Sequence, residues 1–175
     1  MSSARSRSTH PDAVDVIIDQ WKRELPELAS ENMALIGRLR RCSILLAPRL
    51  DEVFAAHDLS NGAFDVLATL RRAGAPYILT PTELFASLMV TSGTMTTRLQ
   101  NVQKRGWVER IPNPDDARSM LVKLTGAGRE LVEKVVFEHV ENERRILEKL
   151  PAETRRQLDA GLAELMRVLE DAKKD

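Results

Sequence analysis

Between Thr80 and Thr125 the chain gathers side chains suited to hydrogen bonding at base edges and phosphates. At about 100° per residue, Gly93, Thr97, Gln100, Asn101 and Lys104 share one side of a helix, opposite an apolar seam of Met95, Leu99 and Val102. No acid falls on that polar side. Ser92, Gly93, Thr94, Thr96 and Thr97 are small enough for the backbone to approach a major groove closely, and amides at a helix start suit phosphates. Hydroxyls discriminate bases poorly, whereas Gln100 and Asn101 carry amides able to make bidentate contacts with adenine. The bland alternative is a solvated helix face. Other chemistries find no constellation here: there is no nucleophile elbow, Gly-rich phosphate loop, metal pair or Cys/His arrangement. Three scattered histidines and one cysteine make no structural-zinc set. Neither an enzyme nor a cofactor is expected.

The elements that must position these residues have local start and stop signals. Thr80-Pro81-Thr82-Glu83 reads as a capping box with proline in the first helical turn. The short helix it opens is expected to carry Leu84, Phe85 and Leu88 inward. A tight connection through Met89 and Val90 leads to Thr91 or Ser92, either of which can cap a second helix over roughly residues 92 to 105. Gly106 stops it, where a left-handed residue costs least. Two helices joined by a short turn, the second polar and non-acidic outside, describe a helix-turn-helix. Strand-like runs follow at Trp107–Ile111 and Met120–Leu124, around a turn-rich loop from Pro112 to Ser119 that carries Arg118 near its tip. A helix-turn-helix followed by such a hairpin is a winged helix.

These residues resemble the MarR family of transcriptional regulators. The family's pattern near its recognition helix, SGGMTxRLxxLxxxGLVxR, is matched by Ser92-Gly93-Thr94-Met95-Thr96-Thr97-Arg98-Leu99 and by Gly106-Trp107-Val108-Glu109-Arg110; its wing signature, DxRxxxxxLT, by Asp116, Arg118, Leu124 and Thr125. The resemblance runs from about residue 35 to 170. It implies a mainly α fold with a small β-hairpin, and a homodimer on double-stranded, pseudo-palindromic operator DNA, with Thr80 and Thr91 joining the DNA-facing set. It also implies that Asp116 holds Arg98 while Arg118 enters the minor groove, whose concentrated negative potential attracts guanidinium. Thr94 stands where the family often has a second Gly, Thr97 where it often has Asn, and Gly126 where it usually has Pro. The first two departures leave the operator sequence open. The segment Trp21–Leu28 resembles the amino-terminal extension of the urate-responsive branch, which implies an anion site at Trp21, Asp65, Arg98 and Arg110. Alternatively, Trp21 packs in a dimer seam and Asp65 is a helix-surface acid. Some relatives sense oxidants through an amino-terminal cysteine; Arg40 and Arg41 flank Cys42 here and would lower a thiol pKa, although a lone helical Cys is usually a small hydrophobe.

Length and charge are consistent with this reading. With 175 residues the chain can bury a real core, and no apolar run approaches the ~20 residues that span a bilayer. A polar, basic start, MSSARSRSTH, predicts no signal peptide, and a single cysteine fits a reducing cytoplasm. Net charge is zero, yet Arg98–Lys123 holds six basic residues (Arg98, Lys104, Arg105, Arg110, Arg118, Lys123) against three acids, so the basic share sits where DNA would lie. Val14, Ile17, Ile18, Trp21 and Leu25 form one apolar helix face, ended by Pro26. A second pattern runs from Met33 to Phe54, with a kink or tightened turn expected at Pro48. Ser60 caps a third helix, with Phe64, Leu67 and Leu70 inward and Gly74 at its end. Thr125 caps a long helix to about Lys149. After Pro151, Leu158, Leu162, Leu165, Leu169 and Ala172 make a heptad-like seam. The expected organisation is a disordered tail (1–10), dimerisation helices (11–57), a winged helix-turn-helix (58–124) and carboxy-terminal dimerisation helices (125–175). The remaining alternatives are a redox sensor through Cys42, or a dimeric interaction module that has lost DNA binding.

Overall fold

The computed structural model describes residues 11–88 and 95–172. The expected tail, the connection at Met89 and Val90, and the caps at Thr91 or Ser92 lie outside them. The chain divides into two compact units, Met1–Arg49 and Leu50–Asp175.

In the first unit, α1 (Ala13–Glu24) is opened by a capping box. The Asp12 carboxylate accepts from the Val14 and Asp15 amides, and Asp15 accepts from the Asp12 amide. Arg38, on α2 (Glu31–Ala55), donates to Asp12 at 2.7 Å and Asp15 at 2.6 Å. That hydrogen bond, aided by the backbone amides, holds the Asp12 carboxyl at about 2 and lowers Asp15 as well. Val14 and Ile18 are buried; the Val14 methyl lies 3.1 Å from where a Cβ on Gly37 would stand, so the missing side chain lets the helices approach closely. Ile17, Trp21 and Leu25, on the same predicted seam, stay exposed. Helix α2 runs through Pro48 without a break, so the proline removes one amide donor but does not divide the helix.

The second unit is built on α3 (Asn61–Arg72), β1 (Ile78–Leu79), α4 (Pro81–Ala86), α5 (Met95–Lys104), β2 (Val108–Asn113), β3 (Asp116–Leu124), α6 (Gly126–Leu147) and α7 (Ala152–Asp171). Ser60 caps α3 through the Ala63 amide, and Gly74 follows at φ +82°. The core gathers Phe54, Leu67, Leu70, Leu84, Leu99, Val102, Val108, Val122, Val132 and Val135, each fully buried large side chain contributing about 1.5–3 kcal/mol. The sheet is antiparallel in the order β1-β3-β2. Ile78 pairs with Lys123 and Val108 with Leu124, which places the short first strand at the base of the hairpin.

Two expectations need correction. Phe85 faces outward, at 37% exposure; in a helix of a turn and a half only Leu84 reaches the core fully. The hairpin strands also extend further than their apolar runs. Pro112 pairs with Met120 and, across a break in register, Asn113 pairs with Asp116, with Pro114 and Asp115 in the turn, because backbone pairing continues where side chains no longer need burial.

Helix α6 starts at Thr125, whose hydroxyl accepts from the Gly128 amide. Among the described residues, α7 buries none of its side chains, and Leu158, Leu162, Met166, Val168 and Leu169 are all exposed. An amphipathic 20-residue helix with a bare apolar seam needs a partner surface.

Candidate nucleic-acid interface

The α5 helix turns Leu99 and Val102 into the core, and that burial fixes its rotation. Thr96, Thr97, Gln100, Asn101 and Lys104 are consequently all exposed on the far side, without an acid among them. Gly106, at φ +72°, ends the turn after α5, and its amide donates to the Gln103 carbonyl. Thr91, Ser92, Gly93 and Thr94 lie outside the described residues. The Thr80 hydroxyl is committed to its capping box: it donates to a Glu83 oxygen at 2.8 Å and accepts from the Glu83 amide at 3.1 Å. The Thr80 amide, more than the hydroxyl, lowers the Glu83 pKa.

The wing tip is braced by its own polar side chains. Asn113 donates to the Ser119 hydroxyl at 2.8 Å and accepts from the Asp115 amide, while Asp116 accepts from the Arg118 amide at 3.0 Å. The Arg118 side chain is left exposed beyond that turn. Lys123 is less available than its position in the basic cluster suggested, because Glu109 on the neighbouring strand holds it at 3.1 Å. Arg105, which sequence reasoning counted only as a charge, stacks over the Trp107 ring at 4.9 Å. A basic residue two positions before an aromatic at a helix exit is the signal that could have marked it.

Arg98 sits differently from the expectation drawn from the wing signature. It folds back onto α3, with Nε, Cδ and Cζ within 2.9 Å of where a Cβ on Gly62 would stand, and no ion pair to Asp116 is present among the described residues. Its Nη1 is buried and has no hydrogen-bond partner among the described residues. Gly62 makes this seat, since any side chain there would push the guanidinium away. Asp65 lies one turn further along α3, half-buried, with Oδ2 enclosed. Of the four residues expected at an anion site, Arg98 therefore packs from α5 onto α3 at Gly62, and Asp65 is on α3 itself. Arg110 is exposed on β2, and Trp21, at 39% exposure, belongs to the first unit. Cys42 is a free, exposed thiol. Among the described residues no cluster of His, Cys, Asp and Glu could hold a metal ion, and no helix is long and apolar enough to cross a membrane.

Residues 57–119, covering the helix-turn-helix and most of the wing, match the model of the MarR family. Over 149 residues the chain is 44% identical to the HTH-type transcriptional regulator PecS of Dickeya dadantii, covering 85% of this chain and 90% of that one. The chain belongs to the MarR family. MarR-family proteins are transcription regulators, not enzymes, and the winged helix with helices at either end is their fold. The multiple antibiotic resistance protein MarR of Escherichia coli is 40% identical over 85 residues, 49% of this chain and 57% of that one. Among solved structures, a mutant of the same E. coli MarR complexed with operator DNA superposes with a TM-score of 0.64 at 29% identity, covering 79% of this chain and 99% of that one.

Proposed function

We propose that this MarR-family chain is a homodimeric repressor that reads a pseudo-palindromic operator in double-stranded DNA and is released from it by a small anionic aromatic ligand. The observation that carries the DNA reading is the exposed, acid-free face of α5 beside an exposed Arg118 on the wing. Thr96, Thr97, Gln100 and Asn101 would meet base edges and phosphates, together with Thr91, Ser92, Gly93 and Thr94. Lys104 adds a phosphate contact, Thr80 and Asp116 hold the approach, and Arg118 enters the minor groove. The operator-bound likeness of E. coli MarR supports this geometry. Residues 11–57 and 125–175 are assigned to dimerisation, 58–124 to DNA; the bare seam of α7 supports a second copy as its cover. A regulator of chromosomal operators works in the cytoplasm.

Release by an anion draws on Asp65, Arg98 and Arg110. A ligand carboxylate or enolate would satisfy the buried Arg98 Nη1 and draw that guanidinium into a new arrangement at the root of α5. A tenfold loss of DNA affinity needs about 1.4 kcal/mol of coupling, within the reach of one charge-assisted hydrogen bond. The test is selection of bound genomic fragments followed by shift assays on the recovered operator, with urate and salicylate titrated against the complex. Recovery of no preferred fragment would remove the DNA reading. An operator whose occupancy ignores both anions would remove the ligand reading alone.

A further inference from the structure

The second arginine of the Arg71-Arg72 pair, at the end of α3, makes a cross-helix contact that no sequence motif announced. Arg72 Nη2 donates to the Thr69 hydroxyl at 2.8 Å and to the Ser87 carbonyl at 3.1 Å. A single terminal nitrogen of a guanidinium carries two hydrogens in a fixed plane, so one group can meet both acceptors at once. Thr69 is 2% exposed and held within the α3 core face, which makes its hydroxyl a rigid post. Ser87 is the residue that closes α4, and its carbonyl is one of the terminal acceptors the short helix cannot satisfy internally. A cation at that carboxy end is also favoured by the helix dipole. The neighbouring Arg71 points the other way, donating to Glu133 on α6 at 2.7 Å. The last turn of α3 therefore holds α6 with one arginine and the exit of α4 with the next.

We propose that Arg72 is a positioning residue for DNA recognition: by bridging Thr69 and the Ser87 carbonyl it fixes where α4 ends, and so where the connection that leads to α5 begins. This rests on the reading of α5 as the DNA-contacting helix. Arg72 itself touches no nucleic acid in this scheme. Its effect passes through the direction in which α5 is aimed, and a small misalignment of a recognition helix weakens several base contacts together.

Three substitutions separate this role from a phosphate contact. Thr69→Val keeps shape and removes the acceptor, while Thr69→Ser keeps the hydroxyl. Arg72→Lys keeps the charge but has the shorter side chain, which withdraws the donor from its place between the two acceptors. The whole 175-residue chain would be followed by hydrogen exchange at the Ser87 amide, which donates to the Glu83 and Leu84 carbonyls, and by operator shift assays over a range of salt. Exchange at Ser87 should quicken and operator affinity fall, each roughly tenfold, in Thr69→Val and Arg72→Lys. The slope of affinity against salt should stay that of the parent, and Thr69→Ser should match the parent throughout. Unchanged Ser87 exchange in Thr69→Val would overturn the bridge, and faster exchange with parental affinity would overturn its link to DNA. Arg72→Lys binding as the parent does would make the residue a plain charge. If Thr69→Val does not fold, Arg72→Lys, on the exposed side of the bridge, carries the measurement. A parent protein that selects no DNA would sink the recognition reading itself, and this proposal with it, whereas a binding parent with indifferent variants sinks the proposal alone.

Discussion

Replacing Gly128 by alanine should damage this protein more than its modest chemistry suggests. A Cβ at Gly128 would stand 2.0 Å from the Trp107 carbonyl oxygen, 2.9 Å from its carbon and 3.0 Å from a Leu124 methyl. Ordinary carbon–oxygen contacts lie near ~3.3 Å, so the first turn of α6 must retreat by more than ~1 Å. That turn is tied to the same strand end. The Thr125 amide donates to the Trp107 carbonyl at 3.1 Å, and the Thr125 hydroxyl shares its proton between Gly106 O at 2.8 Å and Trp107 O at 3.0 Å. An opening of ~1 Å would stretch these bonds past useful range. Overpacking alone costs about 1–3 kcal/mol, and each lost hydrogen bond about 0.5–1.5 kcal/mol net. With the shared hydroxyl proton counted as one bond, a total of about 2–6 kcal/mol lowers the melting temperature of a chain this size by roughly 5–20 °C. Thermal unfolding followed by circular dichroism at fixed protein concentration measures it. Gly126→Ala is the control: nothing lies within 4 Å of its Cβ position, so it should be neutral or stabilise by up to ~1 kcal/mol. A Gly128→Ala protein melting within ~2 °C of the parent would refute the reasoning.

Arg118→Ala should weaken operator binding across many sequences and flatten its salt dependence by about one unit of slope. Its melting temperature should barely change, since the side chain is exposed beyond the wing turn; shift assays at several salt concentrations, with a melt, decide this. Deleting residues from Pro151 onward removes α7 and its bare seam, and light scattering should then show monomer or aggregate where the parent should run as a dimer. The depressed Asp12 and Asp15 carboxylates stabilise the start of α1 above the ordinary carboxylate range, and that contribution should fade as pH falls from about 4 toward 2. Asp12→Asn keeps an N-cap oxygen but should flatten this dependence, which amide exchange across α1 would show; an identical acid profile in both proteins would count against the Arg38 pairing. Leu67→Ala, at a fully buried position, should cost about 2–5 kcal/mol, read from denaturant unfolding.

Local signals in the chain determined much of this protein. The Thr80–Glu83 capping box, the Ser60 and Thr125 caps, and the stops at Gly74 and Gly106 all depend on neighbours within a turn, so their chemistry is complete in a short stretch of residues. Periodicity likewise placed Leu99 and Val102 inward and left the polar side of α5 exposed, because a helix has one rotation that buries its seam. The family, too, was legible, since its motifs run through these same local elements. Tertiary structure alone decided contacts between residues far apart in sequence. Strand β1 is two residues long and exists because β3 offers it a free edge. Arg98 turns to the seat left by Gly62, Lys123 to Glu109 across the ladder, and Arg72 to the end of α4. A long cationic side chain reaches many acceptors, and which one it meets is set by the packing of helices and strands around it. The tight approach of Gly128 to Trp107 has the same origin: glycine advertises freedom in sequence, and only the fold shows that here it serves closeness.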